Sequence, residues 1–239
     1  MKLVQLSRTE HGHLRINPAL ALSVAANVHL VPLTLSEIRT VASQFPVFLA
    51  KDGETGQFYP CALMGLEPHE NLYWTGSALD ADHIPLNLLR LPFFIGGADP
   101  AQAAICLDEH SPGVDANGPC AILEPDGSDT GYITTIHGIL DRLAAGKAPT
   151  RGFVERVVGL GLARETKLDV RFDNGTGAVL NGLYAIDETA LGRQVAAVTD
   201  FDDVMVLAAM ALSLAHVGGL VRRKNRRIEA DAQWLGAAA

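Results

Sequence analysis

Two short segments of the sequence place an imidazole close to a carboxylate, a pairing that general acid–base catalysis uses. His69 is followed by Glu70, and Asp108 is followed two positions later by His110. Each pair stands in a predicted loop after a predicted strand, and loops carry functional residues more often than the strands they connect. A histidine near a carboxylate can act as a general base or as a ligand. Two independent surface loops would contain the same residues, so catalysis requires that both loops converge on one pocket.

Four further residues are candidates for ligand binding: Lys51, Asn71, Trp74 and Arg90. Lys51 opens a turn rich in glycine and acidic residues, and Asn71 directly follows the first imidazole–carboxylate pair. Trp74 is more typical of an aromatic residue in the core or at its rim than of a ligand platform. Arg90 stands between apolar residues ahead of a proline, which is typical of a paired and partly buried guanidinium. A structural role is therefore favoured for Arg90, with ligand binding as the alternative.

The motifs that identify common cofactor and enzyme sites do not occur in the sequence. There is no GxGxxG opening a helix, no GxxxxGK[ST], no GxSxG and no HExxH. His11 and His13 have the spacing of a chelating pair, but they stand in a terminus that reads as mobile, and no carboxylate is placed beside them by spacing. The sequence therefore predicts no metal site and no cofactor.

Composition and charge narrow the class of protein. The chain is 48% hydrophobic and 19% charged, which is typical of a folded globular protein. Its formal net charge of -8 repels phosphate backbones and disfavours nucleic-acid binding. A basic cluster at residues 222–227 is the local exception. The favoured interpretation of this cluster is a solvated helix end, where cations oppose the helix dipole. The alternative is contact with an acidic partner, lipid or nucleic acid.

Cysteine usage and the termini indicate the compartment. The three cysteines form no CxxC pair, which favours reduced thiols in a cytosol over a disulfide framework. The first eighteen residues lack the apolar core of a signal peptide, so a cytoplasmic protein is predicted, with leaderless export left open. Residues 204–221 carry no formal charge, but they are rich in alanine and contain Ser213 and His216. A buried core helix is therefore favoured over a membrane span.

Elements of both kinds are predicted along the chain. A helix is expected at 36–44, and Thr34 with Glu37 can form its capping box. Apolar runs at 47–50 and 58–66 flank a turn and predict a β-hairpin. Helical spacing predicts one helix at 133–145 ended by Gly146 and another at 150–160 capped by Thr150. Asn174-Gly175 predicts a second hairpin, and Asp187 can cap a helix that begins at Glu188.

The predicted fold is α+β. Its N-terminal half is rich in strands and hairpins, and its C-terminal half is more helical, with one β-hairpin and a long buried C-terminal helix. One domain is expected over residues 1–239, with a possible internal boundary in the proline- and glycine-rich loop at 111–131.

An ordered series of short segments resembles the SapC family across roughly residues 32–225. These segments are Phe45-Pro46-Val47-Phe48, Lys51-Asp52, Thr55-Gly56-Gln57-Phe58-Tyr59-Pro60, Ala62-Leu63-Met64-Gly65, Glu70-Asn71-Leu72, Ile84-Pro85-Leu86 through Arg90, Pro92-Phe93 and Ile186-Asp187-Glu188. A double-arginine tendency of the family before Pro-Phe is reduced here to Leu89-Arg90-Leu91.

The resemblance implies a bacterial protein and little chemistry. The family takes its name from a surface-layer gene cluster, and many relatives are encoded beside TonB-dependent receptors, tryptophan halogenase-like flavoproteins and cupin or Jumonji-like proteins. It has no agreed catalytic residues, so none is transferred to this chain.

Three functional hypotheses follow from the sequence. The favoured one is a non-enzymatic accessory or binding protein of a bacterial uptake or modification system, with a protein or small-molecule partner. The alternative is an enzyme of unrecognised type that uses the His69/Glu70 and Asp108/His110 loops. The second alternative is a structural protein of the surface layer, against which the small size and the missing signal peptide count.

Overall fold

The computed structural model of the chain describes residues 1–96 and 104–237. Its backbone divides into two compact units. Unit 1 comprises Met1–Ala25, Gly76–Ala78 and Leu86–Lys147, and unit 2 comprises Ala26–Thr75, Leu79–Pro85 and Ala148–Ala239. The loop at 111–131 lies within unit 1. A single domain over the whole chain stays a prediction.

Helices and strands alternate irregularly along the described residues, as the α+β prediction requires. The strands are β1 (Leu3–Gln5), β2 (Arg15–Ile16), β3 (Leu30–Pro32), β4 (Val47–Lys51), β5 (Phe58–Leu63), β6 (Phe93–Gly96), β7 (Ala104–Asp108), β8 (Cys120–Ala121), β9 (Ala163–Arg171) and β10 (Gly177–Ile186). The helices are α1 (Arg8–His11), α2 (Pro18–Leu22), α3 (Leu35–Val41), α4 (Leu86–Leu89), α5 (Gly131–Gly159), α6 (Glu188–Gln194), α7 (Phe201–Ser213) and α8 (Val217–Ala237).

Unit 1 is built on two small antiparallel sheets. Strands β1, β7 and β6 form one sheet in that order, and β2 pairs with β8. Ile16, Phe93, Leu107 and Ile133 are fully buried in its core. The reading of the N-terminus as mobile was wrong, because its first strand pairs with β7 and its second strand buries Ile16. Strands of two or three residues are too short to give a periodic signal in the sequence.

Unit 2 is built on a five-stranded antiparallel sheet with the order β3-β5-β4-β10-β9. Both predicted hairpins are present, β4 with β5 and β9 with β10. Gly175 turns the second hairpin with a φ of 84°, a conformation that glycine adopts without steric cost. Helix α7 packs against α3, β4 and β10, so it covers one face of this sheet.

The predicted starts of α3 and α6 are confirmed. Glu37 accepts a hydrogen bond from the backbone N–H of Thr34 at 2.8 Å, which is the capping box expected at α3. Asp187 accepts from the backbone N–H of Ala190 at 3.0 Å and caps α6. This hydrogen bond lowers the pKa of the Asp187 carboxyl.

The two helices predicted at 133–145 and 150–160 are one helix, α5, which continues through Gly146 and Pro149. Apolar side chains are buried on both sides of the expected break, including Leu140 before it and Phe153 after it. Burial of such side chains outweighs a local propensity cost of about 1 kcal/mol for glycine and about 3 kcal/mol for proline. Thr150, expected as a cap, instead accepts from the backbone N–H of Leu35 at 2.8 Å.

The long C-terminal helix is present as α7 and α8, joined by a 3-10 turn at Leu214–His216. Within the described residues, Phe201–Trp234 is the one helical stretch whose length and composition would let it cross a membrane, and 28% of its most apolar window is buried. Burial is confined to one face, which carries Val206, Leu207, Met210 and Leu220.

Candidate functional site

The segment that carries Glu70 is fastened to the basic helix α8. The Nζ of Lys224 donates to Oε1 of Glu70 and to Oε2 of Glu67, each at 2.7 Å. The other oxygen of Glu70 accepts from the backbone N–H of Leu66 at 3.0 Å. Glu70 is buried, and both of its carboxylate oxygens hold structural partners. Its role here is to anchor the loop to α8.

Lys224 stays charged in this environment. Burial acts to lower the pKa of its ammonium group, but the hydrogen bonds to Glu67 and Glu70 outweigh burial, and the net pKa lies above the ordinary lysine value. The ring of Phe172 lies 5.7 Å from the Lys224 Nζ and adds a cation–π contact.

Two arginines of the basic cluster hold the next part of the same loop. Arg227 donates to the backbone carbonyls of Asn71 at 3.0 Å and Trp74 at 3.2 Å. Arg223 pairs with Asp80 at 2.8 Å and lies over the ring of Tyr73, 4.4 Å from its centroid. The cluster is therefore not simply a solvated helix end.

The candidates His69 and Asn71 flank Glu70 in different ways. His69 is exposed and has a φ of 60°, a left-handed conformation that is uncommon outside glycine. Burial and the neighbouring His69 lower the pKa of the His29 imidazole. Asn71 is fully buried; its Oδ1 accepts from the backbone N–H of Tyr73 at 2.9 Å, and its Nδ2 donates to the Sδ of Met64 at 3.5 Å. Asn71 thus shapes the turn from inside.

The second candidate loop follows β7. Oδ1 of Asp108 accepts from the backbone N–H of Lys2 at 2.7 Å and from that of His110 at 3.2 Å. Asp108 therefore joins the first residues of the chain to the loop, while His110 is exposed.

Sequence reasoning missed the partner of this loop, which is His11. Its Nδ1 accepts from the backbone N–H of Ser7 at 2.9 Å, and its Nε2 lies 3.5 Å from Oε1 of Glu109. The neutral imidazole therefore carries its proton on Nε2, and both ring nitrogens have partners. Oε2 of Glu109 pairs with the Lys2 Nζ at 2.6 Å. Hydrogen bonds from Lys2 and then His11 lower the pKa of Glu109.

The two loops belong to different compact units. His69 and Glu70 lie in unit 2, whereas Asp108 and His110 lie in unit 1, and the contacts described above are made within each unit. Convergence of the loops stays a prediction of the enzyme hypothesis.

Arg90 is held by its own part of unit 1. Its Nε donates to Oδ1 of Asn87 at 3.0 Å and its Nη1 donates to the carbonyl of Phe93 at 2.9 Å. The guanidinium lies 4.0 Å from the centroid of the Phe94 ring. Burial lowers the pKa of Arg90 to about 10. These contacts fit the structural role that the sequence favours for this residue.

Lys51 lies at the end of β4 beside two aromatic rings. Its Nζ is 4.8 Å from the ring centroid of Phe58 and 5.2 Å from that of Tyr184. The two rings meet edge to face, with centroids 4.8 Å apart. No carboxylate of the described chain lies within 4 Å of the Lys51 ammonium.

A groove of 350 Å³ lies between the β4–β5 turn and the C-terminal part of α5, and Phe58 is part of its lining. It is lined by Gly56, Gln57, Phe58, Arg151, Val154, Glu155, Val158 and Gly159. Phe58, Val154 and Val158 supply apolar wall, and Arg151 and Glu155 supply charge. Its volume lies within the range of small-molecule sites, about 300–1,000 Å³. No signal in the sequence predicts this groove, because its two walls are far apart in the chain.

A second, more polar groove of 670 Å³ lies against α8 and is lined in part by Asp173, Asn225, Arg222 and Arg226. Neither Arg222 nor Arg226 forms an ion pair with another described residue. Across 1–96 and 104–237, no group of three or more His, Cys, Asp or Glu side chains could hold a metal ion.

Comparison with known proteins gives one match. A family model described as SapC matches residues 6–220 of the 239-residue chain. Neither a search of curated proteins nor a search of solved structures finds a match.

Proposed function

We propose that this chain, which belongs to the SapC family, is a non-enzymatic binding protein whose ligand occupies the groove beside Phe58. In the cell it would serve as an accessory protein of a bacterial uptake or modification system. The observation that carries the proposal is the composition of that groove, in which an apolar wall stands next to cations that lack carboxylate partners.

The chemistry of the groove indicates the class of ligand. Phe58, Val154 and Val158 offer a surface for a flat or aliphatic apolar body. Arg151 lines the same groove, and the Lys51 ammonium lies 4.8 Å from the ring centroid of Phe58, which is one of the lining residues. Neither cation has a carboxylate of the described residues within 4 Å. A small ligand with an apolar body and one carboxylate satisfies both features.

The surroundings of the candidate catalytic groups support binding over catalysis. A general base must be free to take up a proton in a pocket that admits substrate. Both oxygens of Glu70 and Oδ1 of Asp108 instead accept structural hydrogen bonds. The surface-layer alternative rests on the family name, and no described feature favours it.

The test is a nuclear magnetic resonance titration with three carboxylate probes, hexanoate, phenylacetate and indole-3-acetate. Val158→Trp fills the groove from a helix position that is partly exposed, so the fold tolerates it. Val179→Trp is the matched control, because Val179 is 51% exposed on β10 and lies outside the groove. We expect amide shifts around Phe58 and Val154 in the native protein and in the control, and none in Val158→Trp.

A Lys51→Met variant tests the charge. An exposed ion pair contributes about 0.2–1 kcal/mol, so affinity for the carboxylates should fall up to about fivefold. Affinity for 2-phenylethanol, which carries no charge, should not change. Unaltered binding in Val158→Trp, or shifts that map away from the groove, would refute the assignment. Conversion of a probe to a new compound would favour the enzyme alternative.

A further inference from the structure

The polar groove of unit 2 lies between helix α8 and the turn that joins β9 to β10. Its volume of 670 Å³ lies within the range of small-molecule sites, about 300–1,000 Å³. The polar side chains of its lining are those of Asp173 and Asn174 from the turn and those of Arg222, Asn225, Arg226 and Glu229 from the helix. We refer to it as the α8 groove.

Hydrogen bonds join the two walls of the α8 groove, so its shape does not depend on a ligand. Oδ1 of Asn225 on the helix accepts from the backbone N–H of Asp173 on the turn at 3.2 Å. The turn is also braced from within, because Oδ1 of Asn174 accepts from the backbone N–H of Thr176 at 3.0 Å and from its hydroxyl at 2.7 Å. A site that is formed in advance loses less entropy when it binds a ligand.

Two arginines on the helix wall are available to bind an anion. The other basic side chains of the cluster, those of Arg223, Lys224 and Arg227, contact the loop that follows β5. Arg222 and Arg226 are exposed instead, and neither forms an ion pair with a residue that the structure describes. They stand four positions apart, so they share one helix face with Cβ atoms about 5–6 Å apart. Like charges at this spacing repel, and an anion bound between them relieves that repulsion.

The donors of the two arginines suit a phosphate better than a carboxylate. Each guanidinium is a planar fork that can donate two parallel hydrogen bonds to neighbouring oxygens. A carboxylate, with two oxygens and one negative charge, occupies one such fork. A phosphomonoester has three terminal oxygens and a charge of about -1.5 to -2 at pH 7, so it can bind both arginines at once.

Two carboxylates in the lining disfavour a ligand that carries only phosphate groups. Asp173 and Glu229 line the same groove, and neither has a cationic partner within 4 Å among the described residues. They repel a second phosphate group, whereas they can accept hydrogen bonds from hydroxyl groups. A ligand with one phosphate and several hydroxyl groups therefore uses all four charged side chains of the groove.

We propose that the α8 groove binds a phosphorylated polyol of the size of a sugar phosphate. Arg222 and Arg226 hold the phosphate, and Asp173 and Glu229 accept hydrogen bonds from the hydroxyl groups. The inference is independent of the groove beside Phe58, so a protein in which Val158→Trp fills that groove should still bind the phosphorylated ligand.

Isothermal titration calorimetry with glucose 6-phosphate, inorganic phosphate and glucose tests this assignment. Glucose 6-phosphate should bind most tightly, because it alone engages both the arginines and the carboxylates. Arg226→Gln removes one exposed ion pair and should weaken its binding about fivefold, and a further Arg222→Gln should bring the loss to about 25-fold. Arg142→Gln is the matched control, since it removes an exposed arginine of α5 outside the groove, and affinity should stay within about twofold of the native value.

Asp173→Asn distinguishes a polyol phosphate site from a site for any anion. The change removes a charge that repels phosphate, so inorganic phosphate should bind more tightly. An amide oxygen is a weaker acceptor than a carboxylate, so the preference for glucose 6-phosphate over inorganic phosphate should fall. Circular dichroism checks that each variant is folded.

Three results would overturn the proposal. The first is native protein that binds inorganic phosphate as tightly as glucose 6-phosphate. The second is Arg226→Gln protein with the same affinity as Arg142→Gln protein. The third is binding to phosphatidylglycerol vesicles without binding of soluble glucose 6-phosphate, which would assign the two arginines to a lipid surface instead.

Discussion

Replacing Lys224 by methionine removes the cation that joins α8 to the loop of Glu67 and Glu70. Methionine keeps much of the length of the lysine stem, so the change isolates the charge and its hydrogen bonds. We expect this ion pair to contribute strongly to stability, because both partners are largely buried. The Lys224 side chain is 13% exposed and that of its partner Glu70 is 9% exposed.

The size of the stability loss depends on the Glu70 carboxylate, which the substitution leaves without its cation. Glu70 would remain buried with one oxygen still bound to the Leu66 N–H and the other without its cation. Removing one partner of a buried pair costs about 3–5 kcal/mol. The pair with Glu67, which is 48% exposed, adds at most about 1 kcal/mol. The expected loss is therefore about 3–6 kcal/mol in the free energy of unfolding, a large fraction of a typical total of about 5–15 kcal/mol.

Urea denaturation followed by circular dichroism measures this loss. Arg226→Met is the matched control, since Arg226 is an exposed cation on the same helix without an ion pair to a described residue. The control should stay within about 0.5 kcal/mol of the native protein. A double-mutant cycle with Glu70→Gln should give a coupling energy of about 0.5–3 kcal/mol. If Lys224→Met unfolds at the same urea concentration as Arg226→Met, the anchoring role of this ion pair is wrong.

Two further predictions concern buried polar groups of unit 2. Ser213 is fully buried, accepts from the backbone N–H of Val47 at 2.9 Å and donates to the carbonyl of Met210 at 2.6 Å. Ser213→Ala leaves the N–H of Val47 unpaired and should lower the free energy of unfolding, measured by urea denaturation, by about 1–3 kcal/mol. The control Ser43→Ala, at an exposed position, should lower it by less than about 0.5 kcal/mol. Equal losses in the two variants would contradict this prediction. Burial and His69 hold the pKa of His29 below 6.5 in the folded state, so the unfolded state binds more protons and stability falls as pH drops below about 6.5. His29→Gln should flatten that part of the stability–pH curve, and an unchanged slope would exclude His29 as its source.

Local signals in the sequence predicted the local structure well. The capping box of Thr34 and Glu37, the Asn174-Gly175 turn and the Asp187 cap depend on residues a few positions apart, and all three are present. Such motifs satisfy backbone groups within one turn, so they need no tertiary partner to be recognised.

Features that depend on distant residues could not be predicted. Gly146 and Pro149 are helix-ending signals, yet burial of side chains on both sides keeps α5 continuous. Glu109 pairs with Lys2 and His11, and Glu70 pairs with Lys224, each far along the chain. A single sequence shows which residues could be ionised but not which ones meet, and that pairing decides whether a carboxylate is a catalytic group or an anchor.

The two edge strands of the five-stranded sheet affect how this protein contacts other molecules. One edge is β3, which has three residues and ends in Pro32. The other edge is β9, whose sequence Ala-Arg-Glu-Thr-Lys-Leu-Asp-Val-Arg is mostly charged or polar. Short, proline-bearing and charged edges resist the addition of a further strand. Both edges of this sheet are thus poor templates for aggregation, so chains that meet at high concentration are directed to side-chain contacts between helices rather than to backbone pairing between strands.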